Sequence, residues 1–210
     1  MNIIGDVKIL KKLAFILLFF YSCAFAESSY MHLSLQQGLE IDVPKDWISL
    51  TGPINNAINA HVEAIVEKEK LDSNQNTKLL LALVSPTPLY AQVRVEIDNP
   101  SSLSRKEALT ITQKDSPFFD EEFRKILSRT IKYQGFSLIE IYPTQIQSFH
   151  NDPAIITSYK RTGKKGPVIV RIIQAFTQSG TLRIILSCRE SEATIWNPVL
   201  NKIQDSIRKN

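Results

Sequence analysis

The stretch Gly-Leu-Glu-Ile-Asp-Val-Pro-Lys-Asp-Trp, residues 38–47, decides where the folded domain begins. Its aliphatic residues alternate with two acids, so one face is apolar and the other charged, as in a half-buried β-strand. Pro44 predicts the end of the strand because it has no N–H group for the sheet ladder. Trp47 then returns a large ring toward the core. We therefore predict that this stretch is the first strand of the domain and that Trp47 is a core residue.

Residues 1–26 contain the three parts of an export signal in the required order. Three lysines precede an apolar run from Leu13 to Phe20, and Ala24-Phe25-Ala26 is a small-x-small cleavage site. The run is too short to span a bilayer, which needs about 20 residues. We expect cleavage between Ala26 and Glu27, which gives a periplasmic or secreted protein with no membrane span in the mature chain. A buried N-terminal helix and a membrane anchor are the alternatives.

The two cysteines give information on whether the protein is anchored to a membrane and on whether it has a reactive thiol. Cys23, at the end of the apolar run, could carry a lipid anchor, but Phe20-Tyr21-Ser22 before it lacks the usual Leu of bacterial lipoprotein signals. After cleavage Cys188 alone remains, so the mature chain has no internal disulfide. Its place at the end of an apolar strand pattern predicts a buried thiol and not a nucleophile.

The positive charge of the chain is small once the signal is removed. The sequence has 25 Lys and Arg against 21 Asp and Glu, a formal net charge of +4. The signal holds three of the lysines and one aspartate, which leaves a mature chain of 184 residues with a net charge of +2. So weak a basic balance does not indicate nucleic-acid binding. The mature length suits one domain with its own core.

Hydrophobic periodicity predicts the elements of the mature chain. A polar leader covers residues 27–37, and a single domain covers residues 38–210. Predicted strands after the opening stretch cover residues 79–84, 91–97, 136–149, 154–161, 168–177 and 182–188. Predicted helices run from Ile54 to Lys70 and from Ser116 to Gly135, and a further helix starts at the capping box Ser104-Arg105-Lys106-Glu107. A last helix begins at about Ser191 and is broken or restarted at Asn197-Pro198.

Two of these elements carry predictions of orientation. In the strand 91–97, the apolar residues should face inward and the polar residues outward; the outward set is Gln92, Arg94 and Glu96. The helix after Ser116 should use that serine as its N-cap. Its predicted buried stripe is Phe119, Phe123, Ile126, Leu127 and Ile131.

Short turns set the direction of the strands. Gly163-Lys164-Lys165-Gly166 predicts a hairpin tip, and Ser179-Gly180 predicts a tight turn. Strands joined by such turns are antiparallel, because parallel neighbours need a long crossover. The predicted fold class is therefore α+β, with a predominantly antiparallel sheet flanked by helices. The most apolar strand, residues 168–177, is expected at the centre of the sheet.

The order of these features resembles the PsbP/Mog1/DcrB-like fold over residues 38–208. The matching elements are the opening strand, the helical middle, the segment Asn-Asp-Pro-Ala-Ile-Ile-Thr-Ser-Tyr at 151–159, which enters a three-strand meander, and the terminal helix ending Lys-Ile-Gln-Asp-Ser-Ile-Arg. Asn151-Asp152 stands where members often carry Gly. The resemblance implies an α-β-α sandwich and a non-enzymatic partner of something larger. It supplies no family-wide catalytic residues.

The sequence contains no recognisable catalytic or metal-binding constellation. A Gly-x-Ser-x-Gly elbow is missing, and Ser206 to Lys209 matches Ser-x-x-Lys only in the last helical turn. The histidines His32, His61 and His150 lack the spacing of metal ligands. We therefore predict no catalytic residue, no metal and no cofactor.

Surface features give a tentative partner surface. A small cluster of basic residues lies at and just before the hairpin tip, and Tyr90 follows a Pro-Thr-Pro segment. The tentative partner surface consists of Lys160, Arg161, Lys164, Lys165 and Tyr90. A merely solvated tip is the alternative for the cations, and packing over the sheet edge is the alternative for Tyr90.

The leading functional hypothesis is an exported, non-enzymatic envelope protein that binds another envelope protein. One alternative is a small-ligand-binding protein, or an enzyme, with a site in the sheet–helix cleft. A lipoprotein tethered through Cys23 is the other.

Overall fold

The computed structural model describes residues 29–50 and 77–209. The export signal, the helix predicted from Ile54 to Lys70 and most of the loop after it lie outside the described residues. The strands are β1 Tyr30–Ser34, β2 Leu39–Pro44, β3 Ile48–Ser49, β4 Thr77–Val84, β5 Ala91–Asp98, β6 Leu138–Phe149, β7 Asp152–Arg161, β8 Val168–Thr177, β9 Gly180–Arg189 and β10 Arg208–Lys209. The helices are α1 Arg105–Ala108, α2 Ser116–Tyr133 and α3 Ala193–Ser206.

Seven of the described strands form one antiparallel sheet in the order β3-β4-β5-β9-β8-β7-β6. β6 to β9 are a meander with short turns, so the predicted antiparallel α+β class is confirmed. β5 returns to pair with β9, with Ala91 opposite Cys188 and Asp98 opposite Thr181. This pairing puts β9 at the centre. The prediction that residues 168–177 form the central strand is wrong by one position.

The opening stretch lies in a second sheet, of order β1-β2-β10. β2 pairs with β1 from Tyr30 opposite Pro44 to Ser34 opposite Glu40, and with β10 on its other side. It is therefore the second strand and not the first, and the predicted polar leader 27–37 contains a strand. Met31 and Leu33 do alternate with His32 and Ser34, but the segment is short and its apolar residues are only half-buried, and the prediction from sequence does not include a strand there.

The main core lies between the two sheets and α3. The aliphatic residues of β2, Leu39, Ile41 and Val43, are buried in it as predicted. Trp47 is 5% exposed, and its ring meets Trp196 of α3 edge-on at a centroid distance of 5.7 Å. Trp47 is therefore a core residue, as the sequence predicted.

The start of α2 differs from the prediction by one residue. Asp115, and not Ser116, is the N-cap, and Pro117 lies within the first turn. Asp115 instead uses its carboxylate on the preceding 3-10 turn, where Oδ2 accepts a hydrogen bond from the Thr112 N–H at 2.8 Å. The Ser-Pro pair therefore lies inside the first turn of α2 and does not cap it, because the capping interaction between Asp115 and Thr112 comes before it.

α2 packs on the large sheet along a narrower stripe than expected. Leu127 and Ile131 are buried, but Ile126 is 58% exposed, so its predicted burial is wrong. Consecutive helical residues lie about 100° apart around the axis, which turns Ile126 away from the sheet. The helix ends at Tyr133 with Gln134 as its C-cap. Gly135 follows with a φ of 78°, and the Phe136 N–H donates to the Ile131 carbonyl at 3.0 Å.

α3 runs without a break through Pro198, so the predicted interruption at Asn197-Pro198 is wrong. Proline removes one helical hydrogen bond and crowds the preceding turn. Burial of Trp196, Leu200 and Ile203 against the main core offsets that loss.

β5 buries its apolar residues as predicted, but one residue of the outward set is also buried. Glu96 is 5% exposed and lies opposite Arg183 in the β5–β9 register. The Arg183 Nη1 lies 3.2 Å from Glu96 Oε2, and Arg94 pairs with the other carboxylate oxygen. Because two guanidinium groups neutralise it, this carboxylate can be buried in the sheet face.

Candidate functional site

The candidate site lies at the end of the large sheet where the β7–β8 hairpin tip projects. A cleft of about 260 Å³ opens beside this tip, and we call it the basic cleft. It is lined by Tyr90, Phe136, Arg161, Gly163, Lys164, Lys165, Gly166, Val168 and Arg189. The structure therefore brings together four of the five residues in the tentative partner surface.

Backbone geometry makes the hairpin tip narrow. The Gly166 N–H donates to the Gly163 carbonyl, and Lys164 and Gly166 form an isolated bridge. A Cβ atom on Gly163 would lie 2.7 Å from the Gly166 oxygen, closer than real Cβ atoms approach. Only glycine fits there, and the resulting turn leaves Lys164 and Lys165 exposed at the rim of the cleft.

Two arginines line the wall of the basic cleft over aromatic rings. The Arg161 guanidinium carbon lies 4.5 Å from the Phe136 ring centroid, and that of Arg189 lies 5.9 Å from the Tyr90 centroid. Such cation–π contacts hold a guanidinium group in place. The Arg161 Nη1 also donates to the Thr162 carbonyl at 2.9 Å, and the Arg189 Nη1 donates to the Pro88 carbonyl at 3.1 Å. The Tyr90 hydroxyl donates to Gln92 Oε1 at 2.9 Å, which fixes the ring.

A buried carboxylate holds this wall from beneath. Glu192 is 8% exposed; its Oε2 accepts hydrogen bonds from the Tyr90 N–H at 2.7 Å and from the Trp196 Nε1–H at 3.1 Å, and its Oε1 pairs with Arg189. Burial by itself raises the pKa of Glu192. The hydrogen bonds from Tyr90 and Trp196 and the ion pair with Arg189 more than offset that effect, so the pKa lies below its usual value. Glu192 is therefore a charged anchor that positions Tyr90 and Arg189.

Lys160 does not line the basic cleft, although the sequence grouped it with the other cations. Successive strand residues point to opposite faces of a sheet, which separates Lys160 from Arg161. The Lys160 ammonium lies 3.2 Å from Glu140 Oε2 and 3.1 Å from Glu190 Oε1. Hydrogen bonds to these two carboxylates raise the pKa of Lys160. Lys160 is thus part of a surface ion-pair cluster on the opposite face.

Phe136, Arg189 and Glu192 were missed by the sequence reasoning. Phe136 follows a helix-ending glycine and carries no local signal. Arg189 reaches Tyr90 only because β5 pairs with β9, a contact between segments about ninety residues apart. Glu192 resembles an ordinary acid at a helix start, and its burial depends on Trp196 one turn later.

Other candidate groups for chemistry are part of the scaffold. Cys188 is buried as predicted, and burial raises the pKa of its thiol, which keeps it protonated. The Ser206 hydroxyl donates to the Ile203 carbonyl at 2.7 Å and accepts from the Asp42 N–H at 2.9 Å, so it ties α3 to β2. Over residues 29–50 and 77–209, no three His, Cys, Asp or Glu side chains are grouped closely enough to hold a metal ion. Within the same residues, no helix has the length and apolar character to cross a membrane.

No protein-family model matches the sequence. No curated protein matches it either.

Solved structures do resemble the chain. Cyanobacterial PsbP, CyanoP, from Synechocystis sp. PCC 6803 matches with a TM-score of 0.50 at 12% identity, over 90% of this chain and 98% of that chain. A protein of unknown function, PA94 from Pseudomonas aeruginosa, has a TM-score of 0.40 at 14% identity, over 86% and 97%. LpqN, involved in cell envelope biogenesis of Mycobacterium tuberculosis, has a TM-score of 0.43 at 10% identity, over 88% and 86%. The chain thus has the PsbP/Mog1/DcrB-like fold that its sequence resembles.

Proposed function

We propose that the protein is a non-enzymatic envelope protein, exported through its N-terminal signal, that binds an acidic segment of another envelope protein in the basic cleft. The observation that carries the proposal is the meeting of two exposed lysines, two arginines and two aromatic rings on one cleft, namely Lys164, Lys165, Arg161, Arg189, Phe136 and Tyr90. Glu192 balances the charge of Arg189, so Lys164, Lys165 and Arg161 supply the positive charge for a partner. Guanidinium groups bind carboxylates with two parallel hydrogen bonds, which gives such a surface a preference for Asp and Glu side chains.

An acidic peptide fits the basic cleft better than a nucleic acid does. The aromatic rings offer apolar contact to side-chain stems between the carboxylates. Nucleic-acid binding draws on an extended basic surface that neutralises many phosphates. Four cationic side chains line this cleft, and one of them, Arg189, is already paired with Glu192. The cleft therefore suits a short acidic segment.

Rigidity of the cleft wall supports a binding role. Glu192 and the two rings hold the arginines in place before any partner arrives. Binding then loses little side-chain entropy, which is the general advantage of a pre-organised surface. Lys164 and Lys165, exposed at the tip, add attraction at longer range.

Export is tested by the mass of the mature protein. We expect a mature N-terminus at Glu27, because this cleavage leaves β1, which begins at Tyr30, intact. Intact-mass measurement of protein purified from its own cells decides the point. An uncleaved chain, or a lipid on Cys23, would contradict a free periplasmic or secreted protein.

Partner binding is tested by site-specific photo-cross-linking in the same cells. A photoreactive residue replaces Lys165 at the cleft rim or, as a matched control, Arg129, which is exposed on α2. We expect an adduct from position 165 that is missing from position 129, with an Asp- and Glu-rich cross-linked peptide. The adduct should disappear when Lys164→Glu and Arg161→Glu are added, whereas Arg124→Glu should leave it unchanged. Identical adducts at both positions, or an adduct to lipid or nucleic acid, would overturn the proposal.

A further inference from the structure

A second cleft lies at the opposite end of the large sheet, between that sheet and the small one. Its volume is about 250 Å³, and we call it the inter-sheet cleft. The large sheet contributes the ends of β5, β6 and β8 and the starts of β7 and β9, and the small sheet contributes β2 and β10. The basic cleft lies at the opposite ends of β7, β8 and β9 and beside the start of β5, so the two clefts do not overlap.

The floor of the inter-sheet cleft is apolar. It consists of Leu39, Ile97, Phe149, Ala175, Leu182 and Ile207. Each of these side chains is buried in the fold, and together they come from both sheets and from the residue after α3. Because all of them except Ile97 belong to the main core, the floor is formed before any ligand enters.

Positive charge predominates on the rim of this cleft. The Lys209 ammonium donates to Ser179 Oγ at 2.8 Å and, among the described residues, has no carboxylate partner. Arg208 lies 3.6 Å from Glu40 and 3.9 Å from Asp42, at the outer limit of ion pairing. Asp152, the acid that lines the cleft, is bound by Arg105 Nε at 2.7 Å.

We propose that the inter-sheet cleft binds a small amphipathic carboxylate, with a short unbranched alkyl chain on the apolar floor and the carboxylate at Lys209 and Ser179. The volume is below the usual range for drug-sized ligand sites, which excludes a long acyl chain. The ammonium and hydroxyl groups at the rim offer one charged and one neutral donor to a single anionic head group. This inference is independent of the proposed function, since none of its residues lines the basic cleft.

Calorimetric titration with octanoate tests the proposal, with octanol and butyrate as probes that keep only the chain or only the charge. We expect saturable octanoate binding with a dissociation constant in the low millimolar range or below. Octanol and butyrate should both bind markedly more weakly. Lys209→Gln should weaken octanoate about tenfold, as loss of one charge-assisted hydrogen bond does, and leave octanol unchanged. Ser179→Trp places a large ring at an exposed rim position and should block the binding of both octanoate and octanol.

A charge-matched variant at the other end of the sheet is the control. Lys165→Gln removes the same charge from the basic cleft and should leave octanoate binding unchanged. Thermal melting of each variant confirms folding before titration. Octanoate binding that survives Ser179→Trp, or that is absent in the folded wild type, would overturn the proposal.

Discussion

The two ends of the large sheet differ in what organises them. At the basic cleft, the half-buried Arg161 and Arg189 lie over aromatic rings, and the buried Glu192 carboxylate pairs with Arg189. At the inter-sheet cleft, two sheets contribute an apolar floor, and charge is confined to the rim. Packing alone can shape an apolar cleft, whereas a cationic surface needs a buried polar anchor to hold its geometry. Single substitutions should therefore separate the two ends.

The core that both ends share gives the largest expected effect. Trp47→Ala removes a ring packed edge-on against Trp196. We expect the free energy of unfolding to fall by about 3–5 kcal/mol, the usual loss for a buried large aromatic side chain. Urea denaturation measures it, and ligand binding at both ends should decline together in partly unfolded samples.

The neighbouring residue supplies the control for this change. Ile48 is 50% exposed, so Ile48→Ala should alter the free energy of unfolding by less than about 0.5 kcal/mol. A Trp47→Ala loss below about 1 kcal/mol would contradict the burial of that ring.

Glu192→Gln should affect the basic end selectively. The amide cannot match a carboxylate that accepts from Tyr90, Trp196 and Arg189 together, so we expect a loss of about 1.5–3 kcal/mol in unfolding free energy. Binding of a Glu-rich peptide should weaken while octanoate binding is unchanged. Glu190→Gln, at an exposed acid two residues away, is the matched control. Equal losses of unfolding free energy for Glu192→Gln and Glu190→Gln would contradict the role of Glu192 as the anchor of the basic cleft.

The pH dependence of stability provides a second test of the same anchor. The pKa of Glu192 in the folded protein lies below the usual value of 4.5. Its stabilising contribution is therefore full above that value and is lost as pH falls through the folded pKa. Denaturation from pH 7 to pH 3 should show wild type losing more stability than Glu192→Gln below about pH 4.5. Parallel curves for the two proteins would contradict this expectation.

Salt concentration should change ligand affinity differently at the two clefts, although by smaller factors than the substitutions above. Several cations act together at the basic cleft, so affinity for a Glu-rich peptide should fall several-fold from low to physiological salt. Octanoate carries one charge and gains from apolar burial, so its affinity should change little. Titrations at matched pH measure both, and equal salt dependence would argue against two different kinds of site.

Thr157→Val, between the two ends, should have the smallest effect. The Thr157 hydroxyl is fully buried and has no hydrogen-bond partner within the described part of the chain. Valine has the same shape without the buried polar atom, so the unfolding free energy should stay unchanged or rise by up to about 1 kcal/mol. Thr181→Val is the control, because its hydroxyl bonds Ser101 and its loss should destabilise. A clear loss for Thr157→Val would point to a partner for that hydroxyl.

Local sequence signals were sufficient for the opening strand, the buried tryptophan and the antiparallel meander. In each case alternation or a short turn determines the structure within a few residues. The pairing of β5 with β9 and of β2 with β10 has no local signal, because it joins segments far apart in the chain. The sequence predicted the part of the candidate site on the β7–β8 hairpin that consists of Arg161, Lys164 and Lys165, together with Tyr90. Arg189 and Glu192 could not be predicted, because only the tertiary pairing brings them under Tyr90.

One nuclear magnetic resonance titration tests most directly whether the two ends are separate sites. Amide shifts of the folded protein are followed as a Glu-rich peptide and octanoate are added in turn. We expect the peptide to shift Tyr90, Lys165 and Arg189, and octanoate to shift Ala175, Leu182 and Lys209, with each set unaffected by the other ligand. Shifts from both ligands at the same residues, or from neither at saturating concentration, would contradict the assignment of two sites.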